Sequence, residues 1–228
     1  MLKSVSTTVV LAALALGFSL PAAADELEDA IDELAESQIV FEEIVTDPET
    51  RIPPVLLQRS EAIIIITNLG QGGFIVGGRS GDGLMVVREA NGAWSNPAFL
   101  TLGGGSIGLQ FGGRSSDIIM LVQDTATVAD IINGGAEFGA GLSGTAGPVS
   151  GSAFDPDEVS DNDILVYSRS SGLFGGITFD GSTFSFDEDR NEMFYNEVNV
   201  TPDRILLDSS LTPAVSTAAL ERALLEAQ

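Results

Sequence analysis

The sequence predicts an α+β fold: a largely antiparallel β core with glycine-rich turns, and amphipathic helices at both ends. Three observations predict it. Apolar residues at near-helical spacing, set among acids, flank the chain. β-branched and alternating apolar runs fill its middle. All but one of the 26 glycines fall between Gly70 and Gly181, where they punctuate those runs.

The elements follow in order. Met1-Leu2-Lys3 carries a positive charge, Val9 to Leu20 is apolar, and Pro21-Ala22-Ala23-Ala24 has the small-residue pattern of a cleavage site. Residues 1–24 therefore read as a secretory signal peptide, and 25–228 as one domain. An uncleaved N-terminal anchor is the alternative, although the apolar run is shorter than the roughly 20 residues a span needs. Asp25 to Val45 reads as an amphipathic helix, with Asp25, Glu26, Glu28 and Asp29 in its first turns. Thr46-Asp47-Pro48 stops it. Pro53-Pro54 starts a short helix through Arg59, and Ile63 to Thr67 reads as a buried strand.

An internal echo follows. Phe74 to Val87 matches Leu109 to Val122, each with apolar residues, Gly-Gly-Arg-Ser-x-Asp, and more apolar residues. Each copy reads as a hairpin whose glycines sit in a tight turn. Thr125 to Ile132 reads as a short helix, Ala136 to Val149 as extended, and Phe154 to Asp163 as an acidic loop. Three strands are expected at Ile164 to Arg169, Gly172 to Asp180 and Thr183 to Phe186. A brief helix is expected at Asp189 to Tyr195. A final amphipathic helix starts at Thr212-Pro213, with Val215, Leu220 and Leu224 on its apolar side.

Composition excludes several functions. Ten basic residues face 33 acidic ones, for a net charge of −23. That charge repels nucleic acid, which is excluded as a partner. There is no cysteine and no histidine. This removes disulfides, lipobox acylation, Ser-His-Asp and Cys-His catalysis, and the commonest transition-metal ligands. No cofactor and no resident metal are expected. A hydrolase built on a carboxylate pair stays open in principle, but no acid has an apolar setting that marks it out.

Four side chains are candidates for binding. Arg79, Arg114 and Arg169 each lie beside an expected strand. A guanidinium there either grips a phosphate or carboxylate, or pairs internally, with Asp82 and Asp117 as nearby partners. Trp94, in an expected turn, either dips into a membrane interface or caps the core. Asp155, Asp157, Glu158, Asp161 and Asp163 read as a solvated acidic loop, with calcium as the alternative, since the EF-hand spacing and its glycine are absent. Gly103 to Gly108 and Gly139 to Gly144 both fit G-x-G-x-x-G. The first is followed by a strand-like segment rather than a helix, so turns and bulges in a sheet are the better reading.

Taken together, an ordered set of segments resembles the SYLF domain, the Ysc84-type lipid- and actin-binding domain. The segments are Ile52 to Leu57, Gly72 to Arg79, Gly92 to Pro97, Gly108 to Gly113, Tyr167 to Gly176, Asn191 to Tyr195 and Ile205 to Leu207. The resemblance covers nearly all of 25–228. It implies a lipid-binding module without catalysis, of the exported bacterial type, in the periplasm or secreted and peripheral to a membrane. Its partners would be a lipid or membrane surface, with an envelope protein partner as the alternative reading. Eukaryotic members resemble phosphoinositide binders with a basic N-terminal helix. Here Asp25 to Val45 has no lysine or arginine, so that specificity is not carried over.

Overall fold

A computed structural model of the chain describes residues 20–48, 51–73, 76–107, 114–148, 163–168 and 179–228. The fold is α+β, as expected. Among the described residues its sheet has seven strands: β1 (Ala62–Gly73), β2 (Val76–Val87), β3 (Ala98–Ile107), β4 (Arg114–Val122), β5 (Ser143–Ala146), β6 (Asp163–Ser168) and β7 (Ser182–Phe186). Their order is β5-β6-β4-β1-β2-β3-β7, antiparallel throughout except for the β5–β6 pair. The helices are α1 (Leu20–Thr46), α2 (Pro54–Arg59), α3 (Thr125–Ile132), α4 (Glu188–Tyr195), α5 (Pro202–Leu207) and α6 (Ala218–Glu226).

The sheet curls until its two edges meet. Beyond β7, the Phe138 amide donates to the Ser182 carbonyl at 3.0 Å and the Gly181 amide donates to the Phe138 carbonyl at 2.8 Å. Phe138 also bridges Leu142, which leads into β5. The curl depends on glycine. A Cβ on Gly83 would stand 2.0 Å from the Ile65 carbonyl oxygen, and one on Gly81 would stand 2.8 Å from Leu69 Cα. Only a residue without a side chain lets neighbouring strands approach so closely.

Strand alternation divides the core in two. Ile64, Ile66, Met85, Leu102, Met120 and Val166 share the inner face by register and are buried. Phe138, Phe179 and Phe184 pack together at the seam, with ring centroids 5.2 and 5.7 Å apart. On the outer face, Ile63, Ile65, Leu84, Phe99 and Leu121 are equally buried, beneath helices. α1 contributes Ala30, Leu34, Phe41 and Ile44, spaced for one helical face. α4 brings Phe194 edge-on to Phe99, with centroids 4.9 Å apart. Its Asn191 side chain both accepts from the Phe99 amide and donates to the Phe99 carbonyl, at 2.9 and 2.8 Å.

Several sequence expectations are corrected. The Gly-Gly-Arg-Ser segment of the first echo is no hairpin turn: Gly78 to Gly83 lie inside the continuous strand β2, with no glycine there at positive φ. Its glycines serve close strand approach instead. The second copy likewise runs as one strand from Arg114, while 108–113 lie outside the described residues. α1 begins at Leu20, before the expected cleavage point, which places Asp25 to Asp29 beyond its first turn. The last helix starts at Ala218, not at Thr212, because the Ala214 amide donates to the Phe194 carbonyl at 2.7 Å and ties that segment to α4. α5 was not anticipated, although Thr201-Pro202 announces it: Thr201 Oγ1 accepts from the Arg204 amide and proline fills the first turn. The acidic loop and most of 172–180 lie outside the described residues.

Candidate functional site

The internal echo explains where the arginines stand. β2 and β4 flank β1 on its two sides, and Gln71 of β1 pairs with Arg79 on one side and Arg114 on the other. The cross-strand row continues from Arg79 to Gly104 of β3 and on to Ser182 of β7. Arg79 and Arg114 are thus two strands apart in one row, roughly 10 Å by ordinary strand spacing. Arg169 lies outside the described residues.

Arg79 is 5% exposed, on the inner face. Its Nη1 donates to Ser182 Oγ at 3.2 Å, reaching across Gly104. Glycine is required at that crossing, since a Cβ there would meet Ser182 Oγ at 2.6 Å. Burial pulls the guanidinium below its ordinary pKa, and the charge of Asp180 opposes that shift. The expected pairing with Asp82 does not form. Three residues on along a strand, Asp82 faces the helices, where it accepts from Thr101 Oγ1 at 2.8 Å and lies 3.8 Å from Arg190. Asp117 accepts from the Asn68 amide at 3.0 Å, at a bulge where Asn68 adopts φ 50°.

This end of the sheet has a distinct composition. The ends of β1 and β3 and the starts of β2 and β4 meet there, as register requires. The sequence has no acid between Glu61 and Asp82, between Glu89 and Asp117, or between Asp163 and Asp180. The strand ends are joined through Phe74-Ile75 and Gly108-Leu109-Gln110-Phe111-Gly112-Gly113. Two acids of α1 reach the bulge of β1 beside this end, where Glu33 accepts from Thr67 Oγ1 and Glu36 accepts from Asn68 Nδ2.

Trp94 stands at the other end. It is 4% exposed and bridges Arg88, just past the end of β2. Nine residues of extended chain separate Arg79 from Arg88, roughly 30 Å. The Arg88 guanidinium lies 4.1 Å over the Trp94 ring. It also donates to the Ser60 carbonyl at 2.7 Å, the Leu57 carbonyl at 2.6 Å and Gln228 Oε1 at 3.2 Å. Sequence reasoning missed this staple. Its signal was an arginine directly after an apolar strand and six residues before the only tryptophan.

A buried polar cluster under α1 was missed as well. Glu33 is 8% exposed and accepts from Ser37 Oγ and Thr67 Oγ1, both at 3.0 Å. Burial raises its pKa, and those hydrogen bonds and Arg190 act against the rise. Arg190 lies 3.7 Å from Asp187 and 3.8 Å from Asp82. Among the described residues no group of acids is arranged to hold a metal ion. No described helix is long and apolar enough to cross a membrane.

Comparison with known proteins bears on these motifs. The profile of a family described as Ysc84, Las17-binding protein actin regulator, matches residues 103–227. The chain belongs to the Ysc84, or SYLF, family. An SH3 domain-containing protein of Schizosaccharomyces pombe is 31% identical over 169 residues, covering 72% of this chain and 39% of that protein. Protein YSC84 of Saccharomyces cerevisiae is 32% identical over 159 residues, covering 68% and 34%. The human SH3 domain-containing YSC84-like protein 1 is 28% identical over 150 residues, covering 65% and 44%. The chain thus spans less than half the length of these relatives. No solved structure matches it. The family is one of binding proteins rather than a known enzyme family. Several SYLF motifs here hold the fold: Asn191 clamps β3, Tyr195 Oη donates to the Pro97 carbonyl at 2.6 Å, and Trp94 seats Arg88.

Proposed function

We propose that this SYLF domain is a non-enzymatic lipid-binding module of the cell envelope, and that it meets lipid with the glycine-rich end of its sheet. The observation that carries the reading is compositional. In a chain of net charge −23, the strands that end there are joined by acid-free sequence bearing Phe74, Ile75, Leu109 and Phe111. Large apolar residues without carboxylates suit insertion at a bilayer interface, where a charged side chain is costly. Arg79 and Arg114 stand in one row at the same end and are the polar anchors. Ile64, Ile66, Met85 and Met120 are buried on the inner face, which favours contact with lipid at the end of the sheet. Export rests on the leader-like sequence 1–24, with a location in the periplasm or outside the cell, peripheral to the membrane.

Liposome flotation of the chain from Asp25 onward tests this. Flotation that persists at high salt is expected, since apolar insertion is not screened. No flotation with any lipid composition would overturn the reading. N-terminal sequencing of the protein recovered from cells checks export, with Asp25 expected as the first residue.

A second reading is favoured by the family description, Las17-binding protein actin regulator, which names a protein partner. On this reading the domain docks a protein of the envelope and touches lipid incidentally. A single defined adduct in crosslinked cells, together with failed flotation, would decide for it.

A further inference from the structure

α1 has two apolar rows, and the core uses one of them. Ala30, Leu34, Phe41 and Ile44 are buried. On the opposite side Ile31, Ala35 and Ile39 follow one another at intervals of four residues and are exposed, Ile31 to 36% and Ile39 to 54%. At the rise of a helix this row is roughly 12 Å long. Single exposed apolar residues are ordinary. A row at i, i+4 and i+8 is instead a ridge of the kind that packs into the groove of a second helix. We propose that this ridge docks a basic amphipathic helix of a protein partner.

Charge selects that occupant. By helical spacing Glu28 and Glu42 stand at the two ends of the row, and Asp32 and Glu36 along one flank; all four are exposed. None of the four forms an ion pair among the described residues. Glu36 and Glu42 accept only from neutral amides, those of Asn68 and Gln38. An apolar ridge bordered by uncompensated carboxylates complements apolar side chains bordered by lysine or arginine. The same charge disfavours other occupants. α1 holds nine acids and no lysine or arginine, so a second copy of it, or an anionic bilayer, would meet like charge. Ala35 has the smallest side chain of the row, which leaves room for an apolar residue of the partner between the two isoleucines. The ridge is also held in place beforehand: Glu33 and Glu36 tie α1 to Thr67 and Asn68 of β1. This docking stands whether or not the glycine-rich end meets lipid.

The protein recovered from cells is titrated, by fluorescence anisotropy at physiological salt, with a labelled synthetic helix whose leucines lie on one face and whose lysines lie on the other. A peptide of the same composition with its leucines scattered around the helix measures the attraction of any cation to so acidic a chain. The amphipathic peptide is expected to saturate one site and to bind at least about tenfold tighter than the scattered one. Ile39→Ser should weaken it at least about fivefold, through loss of the apolar area it buries. Asp32→Asn should weaken it about two- to threefold, the effect of one exposed charge pair. Leu207→Ser, at a 63% exposed position on α5, should leave it unchanged. Should Ile39→Ser melt early in urea, Ala35→Gln is titrated in its place and should weaken binding as much, by crowding the ridge. Equal affinity for the two peptides, or an Ile39→Ser variant that binds like Leu207→Ser, would overturn the proposal. A dimer in sedimentation that Ile39→Ser dissolves would give the ridge to a second copy, and loss of flotation in Ile39→Ser would give it to a membrane; either would overturn it as well. Failure of the unaltered chain to float bears on the lipid reading alone.

Discussion

Arg79 in β2 and Arg88 just past its end lie nine residues apart, on opposite faces by strand alternation, and do different work. Arg88 is bound on every side: two backbone carbonyls of the α2 segment, the Gln228 side chain and the Trp94 ring hold it. It is a staple joining α2, the β2–β3 connection and the end of α6. Arg79 reaches over a glycine to the Ser182 hydroxyl, in the field of Asp180, at the glycine-rich end of the sheet. Burial lowers the pKa of both guanidiniums, so burial alone does not separate them. What separates them is the company: convergent carbonyls and an aromatic face hold Arg88 at the helix-covered end, whereas Arg79 lies beside Ser182 and Asp180 on a glycine-rich row.

The largest expected effect lies between the two ends. Gly83→Ala would press a methyl into the Ile65 carbonyl, 2.0 Å away, and should cost about 3 kcal/mol or more in urea unfolding. Gly103→Ala, with nothing within 4 Å of the added atom, should stay within about 0.5 kcal/mol. Equal losses would mean that the curl does not depend on close strand approach. Next, Arg88→Met should cost about 2–4 kcal/mol, because it strands carbonyls that the guanidinium satisfies. Arg79→Met should cost less, about 1 kcal/mol, and should reduce flotation, which Arg88→Met leaves intact in the folded fraction. If Arg79→Met were the more damaging to stability, the contrast between staple and anchor would be lost.

The smallest effect is on pH dependence. The folded chain binds a proton on Glu33 more tightly than the unfolded chain does, because burial raises that pKa above its usual 4.5. Stability from this group is greatest below the unfolded value and falls as pH rises through the raised folded value. Glu33→Gln should flatten that slope in urea unfolding repeated across the acidic range; an unchanged slope would assign it to other carboxylates.

The sequence told much about the elements and less about their use. α2, α3, α4, β6 and β7 were legible within a residue or two, since proline, an Asp cap or β-branched runs mark them locally. The closure of the sheet was not legible, because Phe138 meets Ser182 and Leu142 through backbone contacts that no side-chain pattern announces. The echoed Gly-Gly-Arg-Ser segments misled for a physical reason: glycine serves turns and close strand approach alike, and only the neighbouring strand decides which. The same limit hid the site. Arg79 and Arg114 could be singled out one at a time, but their shared row about Gln71 needs the register, which depends on the bulge at Asn68.

The most direct test of a lipid-facing, glycine-rich end places one new acid at each end of the sheet. Gly105 of β3 is exposed with open space at its Cβ, and Ala90 is exposed in the turn beside Arg88. Flotation of Gly105→Asp and Ala90→Asp is compared with the unaltered chain at high salt. Gly105→Asp is expected to abolish flotation while Ala90→Asp floats normally; equal flotation of the two, or loss only in Ala90→Asp, would contradict the assignment of the glycine-rich end to lipid.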